Sequence, residues 1–91
     1  MYAVVVRVTI SDAERARELL QSRVVPQVSS AAGFKNGSWK WSADGAPSNG
    51  LSMVIFESED DARAGAEIVR GVVPESVTLE SVEVREVVAS A

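Results

Sequence analysis

The side chains in this sequence best suited to chemistry are two indoles set two residues apart, Trp39 and Trp41, with a few polar groups nearby in the chain. Indole faces stack on aromatic molecules, and the ring N–H can donate to a quinone or phenol oxygen. The same i, i+2 pair on a strand also suits an apolar interface between two copies, because Trp is enriched in interface cores. Both readings stay open at this level. Tyr2, Asn36 and Ser38 carry polar atoms able to orient a ligand or its oxygen, although turn chemistry explains Asn36-Gly37 equally well. Met53 suits a pocket wall or a core. Arg7 stands alone among valines; it could meet an anionic substrate, but its expected use is to pair with a carboxylate of the last strand, Glu83 or Glu86.

Absences narrow the chemistry further. With no Cys and no His in 91 residues, thiol nucleophiles, disulfides, thiolate metal sites and the Ser-His-Asp triad are excluded, as is histidine ligation of zinc or haem. A net charge of −4 argues against a nucleic-acid partner, which ordinarily meets a basic surface. The acidic run Glu57-Ser-Glu-Asp-Asp61 could suggest a hard cation, yet Glu59, Asp60 and Asp61 on successive helix positions diverge. Capping and the helix dipole account for them, so no metal is expected. Neither a glycine-rich phosphate loop nor a nucleophile elbow is present. The apolar start, Met1 to Val6, is broken by Arg7 and is too short for a signal-peptide core, and no run approaches the roughly 18–20 apolar residues of a membrane span. A cytoplasmic protein with no membrane partner is expected.

The elements that must position these groups follow from hydrophobic period. Tyr2 to Ile10 alternates as a β-branched strand. Ser11-Asp-Ala-Glu14 reads as a capping box with Ser11 as N-cap, and Ala13, Ala16, Leu19, Leu20 and Val24 then recur at helical spacing. Pro26 predicts a break or bend near Val25, with a further short helical turn before Gly33 stops it. Phe34 to Ser42 is a strand with Trp39 and Trp41 on one face and Lys40 on the other, and Asn36-Gly37 is a loop or bulge at its start. The turn cluster 43–50 makes a long, mobile hairpin loop before the strand Leu51 to Phe56. Ser58 caps a second helix whose small centre, Ala64-Gly65-Ala66, lets it lie close to a sheet. After Pro74, Val77 to Val88 is a strand whose alternation slips, which predicts a bulge near Glu80-Ser81.

The order β-α-β-β-α-β over one domain, residues 1–91, folds as a ferredoxin-like α+β plait: a four-stranded antiparallel sheet with two helices on one face. The other face is then bare. Val5, Leu79 and one or both tryptophans would form an apolar patch there, and pairing with a second copy into a homodimer would cover it.

The helix ending in Ala32-Gly33-Phe34, the Trp-bearing strand, and the run Val54-Ile-Phe-Glu-Ser-Glu-Asp-Asp-Ala62 resemble the dimeric α+β barrel superfamily. More narrowly they are similar to its antibiotic biosynthesis monooxygenase-like (ABM) domains, including small ones common in actinobacteria. The resemblance spans Tyr2 to Val88. It implies two plaits paired sheet to sheet as a dimeric α/β barrel, with a pocket between sheet and helices in each. Members that oxidise polycyclic aromatics or degrade haem often place Asn on the first strand and Trp at the end of the third. Here those positions hold Tyr2 or Ala3, and Phe56, which joins the pocket candidates. The haem degraders' helical His is absent.

Two functions follow. One is a cofactor-independent oxygenase, or a related isomerase or cyclase, acting on a small aromatic or polyketide-like ligand, with protons moving through Tyr2, a carboxylate or the substrate. The other is a non-catalytic homodimeric binding or interaction module. A cavity of several hundred cubic ångströms lined by Trp and polar groups favours the first. A space filled by Leu20, Val24, Phe34, Phe56 and Ile68 removes it.

Overall fold

A computed structural model describes residues 1–43, 48–73 and 75–91. Four strands, β1 (Tyr2–Ile10), β2 (Phe34–Trp41), β3 (Asn49–Phe56) and β4 (Val77–Glu86), form one antiparallel sheet in the order β2-β3-β1-β4. Helical segments α1 (Ala13–Leu19), α2 (Val25–Ser29) and α3 (Glu59–Val72) supply the connections after β1 and β3. This is the ferredoxin-like α+β plait that the element order implies.

Alternation decides which side chains meet the helices. Along β1, Val4, Val6 and Ile10 are buried while Arg7 and Thr9 are exposed. On β3 the inward set is Ser52, Val54 and Phe56. Val4, Val54, Phe56 and Val28 are essentially inaccessible and form the centre of the core with Ala62, Ala66 and Val69 of α3. Full burial of a side chain the size of Phe56 contributes about 1.5–3 kcal/mol. Gly65 lies directly over that ring, where an added Cβ would fall well inside van der Waals contact with it. The small centre of α3 therefore sets the spacing between helix and sheet.

The helix caps differ in one instance from the capping-box reading. Ser58 caps α3, accepting from the Asp61 N–H at 3.1 Å. At α1 the cap is Asp12, which accepts from the Arg15 N–H at 3.1 Å. Ser11 instead donates both its N–H (2.9 Å) and its hydroxyl (3.0 Å) to the Ser76 carbonyl, so it belongs to the sheet margin.

Pro26 does not break the first helical run. The chain widens into a π turn over Leu20–Val24, where the Val25 N–H donates to the Leu20 carbonyl, and Pro26 then sits in the first turn of α2. A proline needs no amide partner there, and the wider turn relieves the clash of its ring with the preceding turn. Gly33, at φ +76°, ends the run in the left-handed region that favours glycine.

Bulges occur where the pattern slips. β1 and β4 shift register so that Arg7 faces Ser81 and Val8 faces Leu79, leaving Glu80 as the extra residue. That shift returns Leu79 to the helix side with Val82 and Val84, and all three pack on the core. A second shift between Phe34 and Asn36 sits at the start of β2. The expected bare-face patch is corrected accordingly: Leu79, Trp39 and Trp41 all face the helices. The open face instead carries Val5, Met53 and Ile55. Residues 44–47 of the hairpin loop, and Pro74, lie outside the described residues.

Candidate functional site

The space between the helices and the sheet is filled at one end and hollow at the other. At the filled end Phe34 and Phe56 meet edge to face, with ring centroids 6.3 Å apart. Gly65 and Ala66 close over them from α3. At the hollow end lies a half-open cavity of about 280 Å³. Its walls come from the second half of β1 (Val6, Val8, Ile10), from α1 and the π turn (Ala16, Leu20, Val24), and from the end of α3 (Val69, Val72).

Trp39 and Trp41 both line this cavity. Register explains why: Trp39 pairs with inward-facing Ser52, and Trp41 pairs with Gly50. Gly37, the preceding inward position of β2, is kept free of a side chain by the Trp39 ring, whose edge would lie 2.9 Å from an added Cβ. Residues at i and i+2 share one face of a strand, so the sheet turns both indoles toward the helices. Leu20 and Val24 contribute to the wall, whereas Phe34, Phe56 and Ile68 are not part of it.

Three polar groups accompany the indoles. Arg17 of α1 places its guanidinium carbon 4.7 Å from the centroid of the Trp41 ring, a cation–π contact worth about 0.5–1 kcal/mol at an exposed position. Gln21, one turn along the same helical run, lies beside it on the wall. Ser52 projects from β3 into the cavity wall and is only 9% exposed. Lys40 touches the cavity as well, but its ammonium donates to Ser38 at 2.7 Å on the opposite sheet face. Among the described residues no carboxylate, phenol or other group that could serve as a base near neutral pH lines the cavity.

The remaining sequence candidates fall elsewhere. Tyr2 sits at the opposite end of β1, across from Glu86 and Phe56. The Glu86 carboxylate, burial and Glu59 all raise its phenol above the ordinary value of 10.0, Glu86 most of all. Asn36 is exposed on β2 and points to the open face with Ser38. Met53 is 41% exposed on that same face. Phe56 is fully buried at the filled end. Of the six candidates, the fold brings together Trp39 and Trp41 and separates the rest from the cavity.

The expected pairing of Arg7 is also corrected. Register sets Glu83 opposite Val5 rather than Arg7. Arg85, two residues along the same strand and on the same face, takes Glu83 at 2.5 Å. Among the described residues Arg7 has no carboxylate within 4 Å.

Sequence reasoning missed Arg17, Gln21 and Ser52. Arg17 and Gln21 are an i, i+4 pair on the margin of the apolar stripe of the first helical run. Ser52 is the one polar residue in the inward series Ser52, Val54, Phe56. Those positions are where a cavity would interrupt a core.

Solved structures share this architecture, two of them over nearly the whole chain. HapK from Hahella chejuensis superposes with a TM-score of 0.74 at 11% identity, over 100% of this chain and 96% of that one. A "putative monooxygenase" from Shewanella loihica PV-4 superposes with a TM-score of 0.66 at 19% identity, over 99% of each chain. The fold is shared from end to end. No protein-family model matches the sequence, and no curated protein matches it. At these identities the likeness establishes the fold alone. No helix among the described residues is long and apolar enough to cross a membrane.

Proposed function

We propose that this chain is an ABM-like protein of one domain over residues 1–91, of the small actinobacterial type, acting in the cytoplasm as a cofactor-independent monooxygenase on an aromatic or polyketide-like molecule. The observation that carries this reading is the cavity of about 280 Å³ with two indoles in its wall, close to the roughly 300 Å³ lower bound for small-molecule sites. Flat rings stack on Trp39 and Trp41, and the apolar walls exclude water from the bound molecule. The description of the Shewanella neighbour agrees with the reaction class. In that reaction a ring CH₂ and O₂ give a ring C=O and water. All four electrons that reduce O₂ come from the substrate; one oxygen atom enters the product, and the other leaves as water.

A second reading, a non-catalytic binding module with the same occupant, is favoured by one specific feature: among the described residues, none placed to act as a base lines the cavity. Tyr2, the proton carrier named from sequence, is at the far end of β1. Turnover then requires a substrate acidic enough to ionise by itself. In both readings the functional unit is a homodimer formed through the open face around Val5, Met53 and Ile55.

Oxygen consumption and tryptophan emission, followed together during titration with anthrone-type and quinol-type rings, separate the readings. Saturable quenching with oxygen uptake is the expected result. Quenching without uptake assigns the binding module, and no quenching at all removes both.

A further inference from the structure

We propose that the cavity selects flat organic anions, such as ring carboxylates, phenolates or enolates. Arg17 is the counter-charge at its mouth, and Ser52 is a hydrogen-bond partner farther in. This rests on reading the cavity as a ligand site and adds the charge of its occupant.

The charge distribution is the argument for this. The chain carries 13 acidic residues against 9 basic ones, yet none of the described acidic residues reaches the cavity. Most basic side chains near the surface find a carboxylate: Arg15 takes Glu18 at 3.6 Å, Lys35 takes Glu57, and Arg63, Arg70 and Arg85 each take a glutamate. Arg17 does not. Among the described residues it has no carboxylate within 4 Å, and it rests on the Trp41 ring instead. A guanidinium over an indole face keeps its in-plane N–H donors available, and their fork geometry matches a carboxylate. An anion stacked beside Trp41 would meet this guanidinium, which has no carboxylate partner among the described residues.

Ser52 is the polar residue of the β3 wall. It is 9% exposed and lines the cavity. An oxygen of the occupant can hydrogen-bond its hydroxyl inside the cavity. The hydroxyl both donates and accepts, so it suits either an ionised or a neutral oxygen. Charge selection therefore falls to Arg17.

The test titrates the full chain with 2-naphthoate and with the near-isosteric neutral 2-naphthamide, reading tryptophan emission. Naphthoate is expected to bind about tenfold more tightly, the range of a charge-assisted contact. Arg17→Gln brings the two to parity, and Arg17→Lys recovers part of the preference. Because Arg17 is exposed, unchanged far-UV circular dichroism is expected and serves as the folding control. Ser52→Ala weakens both rings. Parity in the native sequence, or a preference that survives Arg17→Gln, overturns the proposal and leaves the cavity as a ligand site. Failure of both rings to bind overturns the cavity reading together with it.

Discussion

The phenol of Tyr2 shows how a side chain suited to chemistry can be held for structure. It stands opposite Glu86 and away from the cavity, and the neighbouring carboxylate charge disfavours its ionisation. Tyr2 is the sole tyrosine in the chain, so absorbance at alkaline pH reports it alone; the midpoint is expected above 10, moving down in Glu86→Gln. Its folded pKa is raised, so its contribution to stability is complete below the unfolded value and declines as pH rises through the folded one. A midpoint at or below the ordinary value would refute this placement. Ser76 gives a second case: its hydroxyl is buried and unpartnered among the described residues. Ser76→Ala is expected to leave the melting temperature unchanged or slightly higher, because an unsatisfied buried group is removed. A clear loss of stability would mean that the hydroxyl has a partner.

At the scale of elements, two contacts set the geometry of the interlayer space. Gly65→Ala would push α3 away from the Phe56 ring, at a cost of roughly 1–3 kcal/mol for overpacking. Thermal unfolding should register that as a drop of several degrees, and an unchanged midpoint would show that the layers are not in close contact there. Ser58→Ala removes the α3 cap and should cost about 1 kcal/mol. Much of this was legible before any coordinates. The strands, the Ser58 cap, the Gly33 stop, the small centre of α3 and the bulge at Glu80 all follow from local pattern. The consequences of the bulge are less local. A slip of one residue reverses every side chain beyond it, so Leu79 returned to the core and the bare-face patch changed composition. Pro26 signals a break or bend near Val25; a new short helix, α2, does start there, but the run stays continuous because the π turn preceding it absorbs the clash. Arg17 was legible as a helix-margin residue, but its contact with Trp41 depends on how α1 crosses β2, which no spacing in the chain encodes.

For the molecule as a whole, the sheet has one face packed and one bare. Val5, Met53 and Ile55 lie on the bare side, bordered by the exposed side chains of Arg7, Lys40 and Glu83. An apolar strip with a charged border is the pattern of an interface between copies. Light scattering at micromolar concentration is expected to give a dimer mass, and Ile55→Lys a monomer. A monomeric native protein would contradict the pairing without touching the cavity. Under the proposed function the two faces divide the work, with the bare face for self-association and the indole-lined hollow for a ligand. In the proposed function this hollow, not the bare face, takes the small molecule. With two tryptophans in the chain, an ¹H–¹⁵N spectrum shows two indole N–H resonances, well separated from the backbone amides. Titration with an anthrone-type ring should shift both indole signals saturably, together with the amides of Leu20 and Ser52, while those of Asn36 and Met53 stay in place. Shifts confined to Asn36, Met53 and their neighbours on the open face, with the indole signals unmoved, would contradict it.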